Sequence, residues 1–160
     1  YNAMGQAGIL SAAATANADI DVDVRGDVPT ACDSPYIVAV TNTTDQDLRN
    51  PYAAYGKKNV DLGAPGTAIF STTPNSGYQR MTGTSMSTPH IAGAVAFLHS
   101  VASPAFAALK RSSPGDAALA IKATLMDTVD VIPALVGITV TGGRLNLNRA
   151  AEAMSTYSRH

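Results

Sequence analysis

Apolar positions along this chain fall into two regimes, short unbroken runs first and helically spaced residues later. Ile9-Leu10-Ser11-Ala12-Ala13-Ala14 is an apolar run without alternation. It predicts a strand buried on both faces, as in a parallel sheet covered by helices. Ile37-Val38-Ala39-Val40 is a second such run, and Asn59 to Ala64 a third, stopped by Pro65-Gly66. Ala68 to Thr72 and Tyr78 to Met81 flank the turn residues Pro74-Asn75-Ser76-Gly77 and predict a hairpin. Gly26-Asp27-Val28-Pro29 is turn chemistry, and the polar stretch Thr41 to Tyr55, broken by Pro51, reads as a surface loop. Tyr1 to Gln6 reads as the end of a helix, broken at Gly8. A chain that opens in mid-helix is expected to be a fragment or a processed product.

From Ser85 onward the period changes. Ile91, Ala94, Val95, Leu98 and Val101 or Ala102 recur at helical spacing. Ala92, Gly93 and Ala96 leave a thin face open to close backbone approach, and Pro89 sits near the helix start, where a missing N–H costs least. Pro104 to Arg111 reads as a connector with at most a helical turn. Ser113-Pro114-Gly115-Asp116 opens a further helix, with Ser113 as N-cap and an apolar stripe of Ala118, Ile121 and Leu125. Gly137 to Val140 and Arg144 to Leu147 predict two short strands around Gly142-Gly143, and Asn148 is the expected cap of a last helix, Arg149 to Met154.

Composition narrows the chemistry. The 160 residues suffice for one domain with a sizeable core, 46% apolar but rich in alanine and without Trp. Eleven basic and twelve acidic residues give a net charge of −1, so no field favours nucleic acid or an anionic membrane. No apolar run has the ~18 residues of a membrane span, and YNAMGQAGIL lacks the basic start of a signal peptide. The single cysteine, Cys32, reads as a small buried or half-buried thiol. Asp19, Asp21 and Asp23 fail as an EF-hand loop, because Val24 and Thr30 stand where a glycine and an acid are needed. They read as a solvated loop or strand face, with another kind of cation site as the alternative.

The candidate chemistry lies in Met81 to Gly93, MTGTSMSTPHIAG, where an irregular turn feeds the long helix. Ser85 stands at that helix start. A serine hydroxyl needs a base to take its proton and donors to hold the oxyanion formed on attack. A helix N-terminus offers free N–H groups and a favourable dipole. Gly83 has no side chain, so a substrate carbonyl can approach the turn. A bare Gly-Thr-Ser before a helix is commonly only a cap.

The whole string Gly83 to Gly93, GTSMSTPHIAG, is more specific and resembles the active-serine segment of the subtilisin-like serine proteases, the subtilases. Ile9 to Asn17, ILSAAATAN, resembles the strand that ends AAGN in that family, with Ala16 standing where glycine is usual. Asp61 to Gly66, Ile69 to Thr72 with Pro74, and Gly143-Arg144-Leu145-Asn146 resemble further family segments in the right order. The resemblance implies a doubly wound α/β sandwich with a mostly parallel sheet, of which residues 1–160 form the C-terminal half. It implies Ser85 as nucleophile, Asn17 as an oxyanion donor, and Ala14, Thr15 and Ala16 on one wall of the S1 pocket. It also implies protein or peptide substrates and secretion. No cofactor is expected, although the family often carries structural calcium and no ligand set is assignable here.

The family's D-[ST]-G and HG-T-H elements, which carry the acid and the base ahead of the serine, have no match in this sequence. His90 follows Ser85 by five residues, about 140° around a helix at ~100° per residue, and so reads as structural. His99 is expected to support the helix end or face solvent, and His160 to be disordered. The expectation is therefore an endopeptidase fragment, inactive alone. Its partner would be the N-terminal segment of the same protein or a second copy pairing through the exposed strand edge. The competing readings are a non-catalytic binding or assembly module derived from a subtilase, and an unrelated α/β fold with a coincidental cap.

Overall fold

The computed structural model describes residues 1–158. Its centre is a five-stranded sheet in the order β1-β2-β3-β7-β6, formed by β1 (Ser11–Ala14), β2 (Ile37–Thr43), β3 (Leu62–Pro65), β7 (Gly143–Arg144) and β6 (Asp130–Val131). The first four are parallel neighbours and β6 runs antiparallel to β7. All seven residues of β2 are buried, as a strand with both faces covered must be. Val38, Val40, Leu62 and Ala64 share one core with Ile91, Ala94 and Leu98 of α3 (Thr84–Val101). Phe106 of α4 (Pro104–Ser112), Ile121 and Leu125 of α5 (Pro114–Asp127) and Met154 of α6 (Leu147–Ser155) extend that core. A smaller cluster of Val22, Ala54 and Val60 takes Ala16 and Ile20 against it. The mixed α/β architecture with a mostly parallel sheet is the one the apolar runs predict. Strand β1 lies at the open edge.

The N-terminal helix is α1 (Asn2–Gln6), and a separate hairpin of β4 (Ile69–Thr73) and β5 (Gly77–Met81) precedes α3. Asn75 and Ser76 turn that hairpin with φ of 62° and 58°. Among the described residues no single helix is long and apolar enough to cross a membrane.

Several local expectations change. Thr41 to Thr43 continue β2, and Asn50, Ala53 and Ala54 are buried, so only part of the stretch to Tyr55, around Leu48 and Tyr52, is surface loop. Its polar groups are satisfied inside: the Thr41 hydroxyl donates to the Ala54 carbonyl at 2.7 Å. Residues 104–111 form a full helix, because Ser103 accepts the Phe106 N–H as N-cap and Pro104 follows it. Residues 137–140 are turns rather than a strand. Asn146, not Asn148, caps α6, accepting the Arg149 N–H at 3.0 Å. Asn148 bonds Glu152 on the helix surface. Asp21 caps a short helix, α2 (Val22–Arg25), and Asp23 accepts the N–H groups of Lys58 and Asn59, so these acids hold the chain together rather than merely face water. Cys32 is exposed, not buried. Ala92, Gly93 and Ala96 are exposed too, and nothing lies within 4 Å of a Cβ built at Gly93.

One largely buried ion pair ties α5 to the sheet. Lys122 Nζ lies 3.2 Å from the Asp61 carboxylate and also donates to the Ile37 carbonyl, while Asp61 accepts the Ala39 N–H at 2.8 Å. Burial pushes the Asp61 carboxyl above its ordinary value, and Lys122 and the Ala39 N–H pull it part of the way back.

Candidate active site

Strand β1 delivers Thr15, Ala16 and Asn17 at its C-terminal end, and α3 begins beside them. Gly83 is the N-cap of α3, Thr84 its first residue, and Ser85 its exposed second. Gly83 is itself fixed, donating its N–H to the Gly66 carbonyl at 2.9 Å. A Cβ on Gly83 would stand 3.3 Å from Asn17 Oδ1, so glycine lets the Asn17 carboxamide lie directly on the turn.

Thr84 joins the two segments and is fully buried. Its N–H donates to Asn17 Oδ1 at 3.0 Å, and its hydroxyl donates to the Thr15 carbonyl. A backbone N–H can only donate, so the Asn17 atom facing it is the oxygen. Asn17 Nδ2 is thereby left free, with no hydrogen-bond partner among the described residues. The Ser85 hydroxyl likewise has none. The Ser85 N–H belongs to the first turn of α3, where the helix supplies no acceptor. Pro89, inside α3, has no N–H to return to the Ser85 carbonyl. The arrangement thus presents an exposed hydroxyl beside a side-chain donor and the positive end of an 18-residue helix.

The predicted S1 wall is firmly anchored. Thr15 is buried and its hydroxyl donates to the Val40 carbonyl at 3.1 Å. The Ala16 N–H donates to Asp27 Oδ2 at 2.9 Å, and the Ala16 carbonyl accepts from Ala54 at 3.0 Å. Ala16 is not among the residues with positive φ, so alanine sits there without strain. Ala14 and Ala16 are half-buried.

Ser85 shares an opening of about 280 Å³ with Ile69, Ser71, Met86, Pro89 and His90. His90 does not bond Ser85. Its Nδ1 lies 2.8 Å from the Met86 carbonyl, to which it must donate, leaving the lone pair on Nε2. His99 sits in the last turn of α3, its ring 5.7 Å from that of Phe106 and its Nδ1 3.4 Å from Lys110 Nζ. Burial, then the Lys110 charge, lowers its pKa below the ordinary histidine value. The expectation for His160 falls outside the described residues. Among those residues no group of three or more His, Cys, Asp or Glu is placed to hold a metal ion.

Sequence reasoning left Thr84 without a role. The one available signal was its position between Gly83 and Ser85, and only the contact to Asn17, 67 residues away, gives it meaning.

The sheet, the helix that starts at an exposed serine and the asparagine beside it define a subtilisin-type domain. The chain belongs to the subtilase family, whose family model matches residues 1–153. It is 35% identical over 115 residues to thermitase of Thermoactinomyces vulgaris, covering 72% of this chain and 36% of that protein. It is 36% identical over 101 residues to subtilisin-like protease 2 of Plasmodium falciparum, covering 63% of this chain and 8% of that protein. Among solved structures it superposes on the A-subunit of the AB5 toxin from E. coli with a TM-score of 0.75 and 21% identity, covering 97% of this chain and 54% of that one. The maturation protease PagA gives a TM-score of 0.64 at 24% identity, with 91% and 50% covered. The chain therefore spans about half the length of these solved structures and a smaller share of the curated relatives.

Proposed function

We propose that this chain holds the nucleophile and oxyanion donors of a subtilisin-like serine endopeptidase. The observation that carries the reading is the Thr84 clamp, which holds Asn17 against the turn one residue before Ser85 and leaves its Nδ2 free. Ser85 Oγ attacks the scissile carbonyl carbon and its proton passes to a base. The carbonyl oxygen becomes an oxyanion, held by Asn17 Nδ2 and the Ser85 N–H. Collapse of that intermediate expels the amine with a proton from the same base and leaves an acyl-enzyme, which water then hydrolyses. His90, in the same opening, is turned by its bond to the Met86 carbonyl and does not bond the Ser85 hydroxyl, which supports an acid and base supplied by another segment. That partner is the N-terminal segment of the same protease, carrying its Asp and His. The open β1 edge and the uncovered Ala92, Gly93 and Ala96 face of α3, with Phe97 43% exposed beside it, are the surfaces it would cover.

The test is reconstitution. The 160-residue chain alone is expected to give neither a burst nor steady turnover of a peptide ester. With the upstream segment added, a serine-directed phosphonate is expected to label Ser85. Turnover by the chain alone would overturn the requirement for a partner. The same uncovered surfaces also favour a second reading, a non-catalytic module that assembles through them and carries out no chemistry in any complex; absence of labelling in any assembly is its signature.

A further inference from the structure

Beyond Gly83 lies another opening, of about 270 Å³, bounded by Asn17, Asn42, Asn50, Tyr52, Thr82 and Gly83. One wall is therefore the Asn17 and Gly83 contact beside the nucleophile. The floor is polar, and its hydrogen bonds can be assigned in sequence. The Tyr52 N–H donates to Asn50 at 2.9 Å, which makes that atom Oδ1 and leaves Nδ2 to donate to the Thr67 hydroxyl at 2.9 Å. Thr67 has one hydroxyl proton, and it goes to Asn42 Oδ1 at 3.0 Å. The remaining end of Asn42 is then its NH₂. Asn42 as a residue is 1% exposed, and that NH₂ has no partner among the described residues; it is not sealed off, since the fully enclosed side-chain atom without a partner is its neighbour Thr43 Oγ1, so the NH₂ keeps an outlet to the opening.

The carboxamide cannot easily swing away. Asn42 shares the strand parity of Val38 and Val40, so it sits on the face of β2 that packs α3. Gly66 lies directly against it, and a Cβ there would come within 2.7 Å of Asn42 Cγ. None of the six lining residues is charged.

We infer that Asn42 is a specificity-determining residue whose unpaired NH₂, open only to this cavity, selects a substrate side chain carrying a neutral hydrogen-bond acceptor, a carboxamide or a hydroxyl. The inference rests on Ser85 being the nucleophile, since a peptide held at Asn17 and Gly83 places a side chain at this opening. An apolar side chain would close the opening and leave the Asn42 donor dry. A carboxylate would be desolvated with no cation among the lining residues.

Two measurements decide it. In the first, N-acetylglutamine methylamide and N-acetylleucine methylamide are titrated separately into the 160-residue chain, and the side-chain NH₂ resonances of Asn42 are followed by NMR. The glutamine compound is expected to shift them and the leucine compound is not; no shift, or equal shifts, overturns the inference. The second uses the chain assembled with its upstream segment, once phosphonate labelling of Ser85 has been observed. Peptides are varied at each position flanking the scissile bond. At the position that fills the opening, glutamine is expected to raise kcat/KM roughly tenfold over leucine. Asn42→Asp keeps the acceptor for Thr67 and removes the donor, so the ratio should fall to one or below. An unchanged ratio overturns the role of Asn42 and leaves the protease reading standing. Failure of labelling sinks the protease reading instead, and the titration still decides whether Asn42 binds a carboxamide.

Discussion

Asn17 Oδ1 accepts the Thr84 main-chain N–H at 3.0 Å, and this bond decides which end of the carboxamide is left free beside Ser85. In the reconstituted enzyme, Asn17→Ala should lower kcat by about 10²–10³ with a smaller change in KM. Asn17→Asp keeps the shape and the acceptor but has no donor to offer, so it should be no better than alanine. Steady-state kinetics of both variants check this; full activity in Asn17→Asp would remove the carboxamide from the oxyanion site.

The Asp61–Lys122 pair gives a stability prediction with a pH sign. Burial raises the native carboxyl above its ordinary value of 3.8, so the native state binds the proton more readily than the unfolded chain does. The contribution of Asp61 to stability is therefore greatest below that value and falls away as pH rises through the native pKa. Lys122→Met removes the cation that offsets this burial and should cost about 3 kcal/mol at neutral pH. The loss should shrink as acid protonates Asp61, and Asp61→Asn combined with Lys122→Met should recover most of it. Urea denaturation across the acid range reads both effects.

The two asparagines at the start of α6 separate cleanly. Asn146 accepts the Arg149 N–H and donates through Nδ2 to both oxygens of Asp130, at 2.9 and 3.0 Å. Asn146→Ala should cost about 1–2 kcal/mol, and Asn148→Ala less than about 0.5. Thermal or chemical denaturation of the pair tests the assignment, and equal losses would contradict it.

What could be read from the sequence was whatever local pattern encodes. The runs around Ala13, Val38 and Leu62 announced parallel strands, and the Gly83 to Gly93 string announced a serine at a helix start. The misreadings share a physical cause. Thr41, Asn42 and Asn50 look like loop residues because they are polar, yet they are buried, and their partners Ala54 and Thr67 are brought to them only by folding. Cys32 was assigned by the habit of its residue type, which says nothing about a turn held open to solvent. The roles of Thr84 and Asn42 depend on which way a carboxamide points, and that is settled by bonds between segments distant in sequence.

Pro89 has a consequence for how Ser85 is carried. Because residue 89 offers no N–H, the Ser85 peptide has no rung to the turn above it. It is held from below, through Thr84 and through the Met86 N–H, which donates to the Gly83 carbonyl at 3.0 Å. The Ser85 carbonyl thus lacks the usual hydrogen-bonded link to the body of α3, whereas the clamp of Thr84 on Thr15 and Asn17 ties the serine to its neighbouring amide. The Ser85 hydroxyl and the Asn17 amide are thus registered to each other before they are registered to the rest of the domain.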